Sequence, residues 1–445
     1  MNQISQHLIE DARQFLRSPS VQDVGILTIG QYVAAAIGFL TTTVAARILG
    51  PEGYGQAALI LAFPSLLRSV GNFKSLTVTT RYLAGFRATG KGEEFRAITK
   101  LGYIIDELAF LGVFLTVLIT GKWVAEHVYN ASWMFRGMLI YAASFVILAF
   151  RGGSFAVLTA FEKFRWLSAL YVLEKGLTFI LVIAFLLAGH GVIGLVLGMA
   201  ISNALMGLIS LGTATLLQMR NGIGVWWAAS LGSIRSLRRE LLSFFSWNYV
   251  MTTLSGAIAQ VPVMILGAVR GPDEAGFFRL AMTLVNVSSY PMNAAHRVAY
   301  PRLSAKWAKK ESDAALRRDV KRWTLHGGVP IGLAILGVTL ALPLIIPLVF
   351  GENYRPVVPG VQLMMLGVAF ESVFFWLNSF YYALGKVGLW VGGYSLYAAP
   401  VLGLSWFISQ RWGFVGLAGL VAGGRCLFKS VMLTMSRRIG REVGG

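Results

Sequence analysis

The stretch GPEGYG, Gly50 to Gly55, interrupts a strongly apolar sequence, and it is echoed by GPDEAG, Gly271 to Gly276, 221 positions later. Proline fixes its own φ angle, while glycine adopts backbone angles that other residues avoid. Each stretch therefore predicts a tight turn between two apolar segments. The recurrence also indicates that the chain is internally duplicated.

Two further pairs of short stretches repeat at almost the same offset. They are AFEK at 160–163 with ALGK at 383–386, and GVIGL at 191–195 with GFVGL at 413–417. Three matches in one order, at offsets of 221 to 223, are typical of a repeated unit. Residues from about 20 to 215 and from about 240 to 440 are therefore predicted to be two copies of one fold.

The composition is that of an integral membrane protein. Hydrophobic residues make up 56% of the 445 and charged residues only 13%, with a mean hydropathy of +0.65. A membrane-spanning helix needs about 20 apolar residues. Twelve segments qualify, six in each copy: 24–46, 56–80, 101–120, 133–150, 168–188, 192–217, 243–268, 276–300, 324–349, 358–383, 388–408 and 413–435.

The positions of the Lys and Arg residues agree with these twelve predicted spans. Lys and Arg accumulate in cytoplasmic loops of membrane proteins. Of the 39 in this chain, 27 fall in alternate loops and at the two ends, six in the opposite loops, and six inside spans. This partition predicts that both termini are cytoplasmic.

The same composition argues against several functions. The net charge of +19 is dispersed over loops that face anionic lipid, so no nucleic-acid partner is predicted. A single cysteine, Cys426, and five scattered histidines supply no metal-ligand spacing, and no nucleotide-binding motif is present. We predict no catalytic residue, no metal and no cofactor, and no enzyme activity.

An even number of spans in each copy lets both copies enter the membrane from the same side. The two halves are then related by a pseudo-two-fold axis along the membrane normal, which is a transporter architecture. The predicted organisation is an amphipathic cytoplasmic N-terminus (1–23), an N-lobe (24–217), an amphipathic cytoplasmic linker (218–242), a C-lobe (243–436) and a basic cytoplasmic tail (437–445).

Three stretches carry a resemblance to a known family. VAARILGPEGYGQAALILAF (44–63), VFGENYRPVVPGVQLM (349–364) and ALGK (383–386) are similar to motifs of the oligosaccharide flippases. These are the Wzx-type polysaccharide exporters of the multidrug/oligosaccharidyl-lipid/polysaccharide (MOP) exporter superfamily. The resemblance implies two six-helix bundles arranged in a V in the bacterial inner membrane. It also implies transfer of a polyprenyl-diphosphate-linked oligosaccharide to the outer leaflet for surface polysaccharide synthesis, in company with polysaccharide assembly proteins.

Charged side chains inside the spans are the candidate functional residues, because each costs about 2.5 to 3.5 kcal/mol to insert. Arg68, Glu371 and Arg425 are predicted at the centres of spans two, ten and twelve, and Asn203 matches Arg425 under the duplication. Guanidinium groups in a cavity hold a diphosphate by paired hydrogen bonds. The alternative is an internal ion pair between Glu371 and one of the arginines.

Further basic and acidic residues join this set. Lys74 and Lys429 either extend a basic path towards the cytoplasm or reach the membrane surface with their ends, and Arg279 is a further cavity candidate. A buried carboxylate that lacked a partner would be suited to carry a coupling proton, and Asp106 and Glu371 are the candidates for this role. Pairing with neighbours is the alternative for both.

Two other functions compete with the flippase. A multidrug or cation exporter of the same superfamily needs an acidic cavity, whereas two arginines and one glutamate are predicted at the membrane midplane. A membrane-embedded polysaccharide polymerase is disfavoured because those enzymes resemble one another in having a large or acidic outer loop, which this chain lacks.

Overall fold

The computed structural model describes residues 19–72, 75–237, 246–308 and 313–442, and within these ranges the chain is helical without β-strands. A membrane offers no water to unpaired backbone groups, so apolar segments satisfy their hydrogen bonds internally as helices. The all-α prediction is confirmed.

The N-terminal half begins with a long bent helix, α1, and ends with two short 3₁₀ segments, Trp226–Ala228 and Leu231–Leu237. A π-helical turn, Val124–Val128, extends α3. The helices are α1 (Pro19–Gly71), α2 (Ser75–Ala88), α3 (Gly92–Trp123), α4 (Met134–Leu148), α5 (Phe150–Ala160), α6 (Phe164–Leu187) and α7 (Gly191–Arg220).

The C-terminal half has the same character and ends with a second long bent helix, α15. A π-helical turn, Thr324–Gly328, precedes α12, and a 3₁₀ segment, Glu352–Val357, follows it. The helices are α8 (Ser246–Val269), α9 (Pro272–Ser288), α10 (Tyr290–Ala308), α11 (Asp313–Trp323), α12 (Val329–Phe350), α13 (Val358–Val373), α14 (Trp376–Ala383) and α15 (Val387–Glu442).

Among the described residues, nine helical stretches are long and apolar enough to cross a membrane. Two of them, α1 and α15, are broken at Gly50 and Gly413 and each supplies two spans. The consecutive helices α9 and α10 cover the remaining predicted span, 276–300. The structure is therefore compatible with twelve spans in two sets of six.

The duplicated stretches adopt matching backbone conformations. Gly50 has φ 68° and ψ 178°, and Gly271 has φ 101° and ψ 176°, each directly before a proline that starts a helix. These φ values lie in the region that favours glycine, and proline suits the first helical turn. Both stretches are tight turns, as predicted.

The AFEK and ALGK stretches also end their helices in the same way. The backbone N–H of Lys163 donates to the carbonyl oxygen of Leu158 at 2.9 Å, and that of Lys386 to Tyr381 at 3.0 Å. The residue before each lysine has a positive φ. This hydrogen-bond pattern is a common helix C-terminus, and its recurrence at an offset of 223 supports the duplication.

Hydrogen bonds join turns that are far apart in the chain at each end of the molecule. Glu274, beside the Gly271 turn, accepts a 2.7 Å hydrogen bond from the backbone N–H of Phe414, beside the Gly413 break. At the opposite end, Arg87 donates to the carbonyl oxygen of Ala160 at 2.7 Å. We call the end that carries Gly50 and Gly271 the outer end.

Several boundaries differ from the predicted ones. Predicted span two, 56–80, is divided, because α1 ends at Gly71 and α2 starts at Ser75. Arg68 therefore lies in the last turn of α1. Span four continues through α5 to Ala160, which moves Arg151 from a predicted loop into a helix.

The terminal and linking segments are described in part. Residues 1–18 of the predicted amphipathic N-terminus lie outside the described residues, and 19–23 begin α1. Of the predicted linker, the segment 226–237 packs on α3: Lys100 donates to the carbonyl oxygens of Trp227 and Ala229 at 3.0 and 2.9 Å. Helix α15 continues into the predicted tail as far as Glu442.

Candidate functional site

A polar cavity of about 480 Å³ lies between the two lobes. Helices α1, α4, α5, α6 and α7 of the N-lobe line one side of it. Thr252, Gly256 and Gln260 of α8 and Arg279 of α9 line the other side. Because both lobes supply its walls, a movement of one lobe against the other changes the shape of this cavity.

The ionisable lining residues are mostly cationic. The described part of the lining has a single acidic side chain, Glu174, and four cations: Arg68, Arg151, Lys175 and Arg279. The cavity thus carries a formal excess of positive charge. Concave surfaces lined by one sign of charge concentrate ligands of the opposite sign, so the arrangement suits an anion.

Three of these residues form an ion cluster on the N-lobe side. The Nη2 and Nε atoms of Arg151 lie 2.7 and 3.0 Å from Oε2 of Glu174. The Nζ atom of Lys175 lies 3.5 Å from Oε1 of the same carboxylate. Arg151 is also stacked over the ring of Phe155, with its guanidinium carbon 4.3 Å from the ring centre.

Of the residues predicted for the site, the cavity brings Arg68, Arg279 and Asn203 together. The guanidinium carbon of Arg68 lies 4.9 Å from the ring centre of Phe145, which positions it by a cation–π contact. The side-chain amide of Asn203 donates to the hydroxyl of Ser144 at 3.2 Å. Lys74 lies outside the described residues.

A smaller cavity of about 190 Å³ continues from this one into the N-lobe. The two cavities share Lys175, Thr178, Met199 and Arg279 in their walls. Arg279 comes from α9 of the C-lobe and lies at the hydroxyl of the buried Tyr54. This arginine therefore stands where the two cavities join.

Arg425, Lys429 and Glu371 form a separate cluster inside the C-lobe. The Nη1 atom of Arg425 lies 2.9 Å from Oε2 of Glu371, and the Nζ atom of Lys429 lies 3.3 Å from Oε1. The side chain of Lys429 is only 2% exposed and lies 5.0 Å from the ring centre of Trp390. None of the three is among the lining residues of the inter-lobe cavity. The contact between Arg425 and Glu371 is the ion pair offered by the sequence as the alternative.

The other candidate carboxylate, Asp106, is buried on α3 within the N-lobe and does not line the cavity. Among the described residues, no group of three or more His, Cys, Asp or Glu side chains is placed to hold a metal ion.

The backbones of the two lobes are in close contact at the outer end. A Cβ atom added to Gly55 would overlap the carbonyl oxygen of Pro272, and one added to Gly276 would lie 2.7 Å from the carbonyl oxygen of Pro51. The two duplicated turns are therefore in backbone contact with each other, and a side chain at either glycine would separate them.

Hydrogen bonds between the lobes reinforce this contact. The hydroxyl of Tyr354 donates to the carbonyl oxygen of Ala46 at 3.1 Å, and Nη2 of Arg47 donates to that of Leu348 at 2.7 Å. Ala46 and Arg47 belong to the stretch 44–63, and Tyr354 belongs to 349–364. Two of the stretches that carry the family resemblance thus meet across the lobes. We call these two bonds the outer latch.

The sequence alone did not single out Arg151, Lys175 and Glu174 as cavity residues. Glu174 and Lys175 are adjacent ionisable residues inside a predicted span, which is an unusual position. Arg151 lies one residue beyond the predicted end of span four. A search for cations within one turn of a span end would have included it.

Two halves of membrane-spanning helices around a polar inter-lobe cavity define the class: this is a multi-pass membrane protein with the fold of the MOP superfamily transporters. Within that class the chain belongs to the polysaccharide biosynthesis protein family, whose model it matches over residues 20–307. The resemblance found in the sequence is confirmed at this level.

Three solved structures illustrate the fold. An inward-facing multidrug resistance MATE family transporter of the MOP superfamily has a TM-score of 0.78 at 12% identity, over 94% of this chain and 98% of its own. The lipid II flippase MurJ, in an inward closed conformation, has 0.70 at 13% identity, over 94% and 89%. An outward-facing MATE transporter has 0.67 at 14% identity, over 97% and 98%. No curated protein matches the chain by sequence.

Proposed function

We propose that this protein flips a polyprenyl-diphosphate-linked oligosaccharide across the bacterial inner membrane for surface polysaccharide synthesis. The two lobes alternate between access to the cytoplasmic side and access to the outer side. The protein acts as a transporter and not as an enzyme, with both termini in the cytoplasm. Polysaccharide assembly proteins are its expected partners.

One observation carries this proposal: among the described residues, four cations and one carboxylate line the inter-lobe cavity. A lipid-linked sugar has one strongly charged part, the diphosphate, which must leave water to cross the membrane. Guanidinium groups bind phosphate oxygens in pairs and keep their charge in a cavity. Arg68 and Arg279 are the residues we assign to the diphosphate.

We assign the outer latch as the gate that closes the outer end of the cavity. Gly55 and Gly276 are in contact, and we infer from this contact that the outer end is closed and that substrate enters from the cytoplasmic side. Release requires the latch bonds of Tyr354 and Arg47 to break. The apolar polyprenyl chain stays in the bilayer while the polar head moves through the cavity.

The competing functions fit this cavity less well. An exporter of organic cations requires a negative cavity, and the positive lining repels such a substrate. A polymerase requires a nucleophile or acid–base pair facing a sugar, whereas the cavity's acidic residue, Glu174, is bound to Arg151 and Lys175.

The test is replacement of Arg68 by Ala and by Lys, with rates of lipid-linked sugar flipping measured in proteoliposomes. We expect Arg68→Ala to lower the rate at least about tenfold, with Lys partly restoring it. The control is Arg136→Ala, because Arg136 is an exposed arginine that does not line the cavity. Normal flipping by Arg68→Ala and Arg279→Ala would overturn the proposal.

Coupling to a proton through Glu371 or Asp106 remains a prediction. Glu371 is held by two cations, and Asp106 is buried away from the cavity. Proton-dependent flipping that is lost in Glu371→Gln or Asp106→Asn, at normal protein levels, is the result that would support either residue.

A further inference from the structure

Among the described residues that line the inter-lobe cavity, Glu174 is the one acidic side chain. It lies on α6, and its side chain is 19% exposed. Both of its carboxylate oxygens are engaged, Oε2 by Arg151 and Oε1 by Lys175. In the described state, two of the four described lining cations are therefore already paired with one anion that belongs to the protein.

The other two lining cations differ in this respect. Among the described residues, neither Arg68 nor Arg279 has a carboxylate oxygen within 4.0 Å. Arg68 lies against Phe145, and Arg279 lies at the hydroxyl of Tyr54. Among the described lining residues, two cations thus have a carboxylate partner and two do not.

A diphosphate that enters this cavity meets the carboxylate of Glu174 as a second anion. Like charges brought together in a low-dielectric site repel by several kcal/mol. Arg151 donates Nε and Nη2 to the same carboxylate oxygen, and this fork fits a phosphate oxygen equally well. The carboxylate and a phosphate are therefore competitors for the same donors.

We propose that Glu174 is an internal competing anion that the diphosphate displaces from Arg151 and Lys175 on loading, and that drives release when it rebinds them. The inference rests on the proposed function. A cavity with four uncompensated cations would hold a diphosphate tightly and release it slowly. Glu174 lowers the affinity and so allows turnover.

The direction of the change in substrate affinity distinguishes a competing anion from a structural role. Loss of a residue that binds substrate or only shapes the cavity weakens binding, as is expected for Arg68→Ala. Loss of a competitor strengthens binding instead. Glu174→Gln should therefore bind the substrate more tightly and flip it more slowly at saturation, because rebinding of the carboxylate no longer assists release.

The experiment uses the full-length protein in detergent and a short-chain probe, farnesyl-diphospho-N-acetylglucosamine, with the dissociation constant measured by calorimetry. We expect Glu174→Gln to lower the dissociation constant by about tenfold or more. Glu174→Asp retains the charge on a shorter side chain and should give a smaller decrease. Glu352→Gln removes an exposed carboxylate outside the cavity and should leave the constant unchanged.

The outcomes separate this inference from the function on which it rests. If the wild type binds the probe and both Glu174 variants bind it equally or more weakly, the competing-anion role is wrong and the flippase proposal stands. If neither the wild type nor any variant binds the probe, the anionic lipid substrate is wrong, and the inference fails with it. Should Glu174→Gln not fold, the direction of the change in Glu174→Asp decides.

Discussion

The hydroxyl group of Tyr354 donates a 3.1 Å hydrogen bond to the main-chain carbonyl oxygen of Ala46, which lies 308 positions earlier in the chain. Tyr354 is 1% exposed, and Ala46 is fully buried. A buried carbonyl oxygen that loses its donor costs about 1 to 3 kcal/mol. This single bond is therefore large enough to influence the balance between closed and open outer ends.

The first prediction concerns this bond. Tyr354→Phe keeps the ring and removes the donor, so it should lower the ratio of closed to open outer ends about tenfold. Spin labels on the exposed residues Glu52 and Arg355, with Cys426 replaced by Ser, would report the separation of the lobes. We expect an increase in the fraction of molecules that have a longer distance between the two labels.

Tyr300→Phe is the matched control, because Tyr300 is 46% exposed on α10 and takes no part in the outer latch. A distance distribution in Tyr354→Phe that matches the wild type would mean that the latch does not hold the outer end closed.

The second prediction concerns the contact of the two turns. Gly55→Ala places a methyl group on the carbonyl oxygen of Pro272, and overpacking of this kind costs about 1 to 3 kcal/mol. We expect a lower midpoint of thermal unfolding and a wider outer end in the spin-label measurement. Gly112→Ala, where no atom lies within 4 Å of the added carbon, should leave both unchanged. Equal effects of the two substitutions would contradict the close contact.

The third prediction concerns the C-lobe cluster. Glu371→Gln leaves Arg425 and the almost fully buried Lys429 without a counter-charge, at a cost of about 3 to 5 kcal/mol. The midpoint of thermal unfolding should fall clearly. Glu352→Gln breaks an exposed pair whose side chains are 71% and 72% exposed, so it should cost under about 1 kcal/mol. A stable but inactive Glu371→Gln would instead point to the coupling role.

The fourth prediction concerns the segment after α7. Lys100→Met removes both hydrogen bonds that hold the carbonyl oxygens of Trp227 and Ala229. Since a hydrogen bond from a charged donor contributes about 1.5 to 3 kcal/mol, cleavage by trypsin at the exposed Arg235 should accelerate roughly tenfold. Lys91→Met removes an exposed lysine at the start of the same helix and is the control. Unchanged cleavage would show that other contacts hold the segment.

The sequence was sufficient for the architecture because membrane insertion leaves few choices. Long apolar segments must be helices, and the Gly-Pro turns at Gly50 and Gly271 mark equivalent positions in both halves. Helix ends were harder to predict, since a polar residue inside a cavity interrupts hydropathy just as a loop does. For that reason, hydropathy places Arg151 in a loop, although α5 continues beyond this residue.

The site was predicted only in part. The free-energy cost of burying a charged side chain indicates that a partner must stabilise the charge, but it does not identify that partner. Arg68 and Arg425 look alike in sequence, as single arginines in apolar helices. The first lies in the cavity beside Phe145, and the second lies beside Glu371. Which one meets a carboxylate depends on packing between helices far apart in the chain, and local sequence does not contain that information.

Three hydrogen bonds between the lobes share one property: Tyr354, Arg47 and Tyr32 all donate to main-chain carbonyl oxygens, those of Ala46, Leu348 and Tyr290. Every amino acid carries that oxygen, so mutation can remove the donor but not the acceptor. The acceptors of these three hydrogen bonds are therefore unaffected by side-chain substitutions. A chain with a very different sequence can therefore keep these three inter-lobe bonds as long as it keeps the three donor side chains.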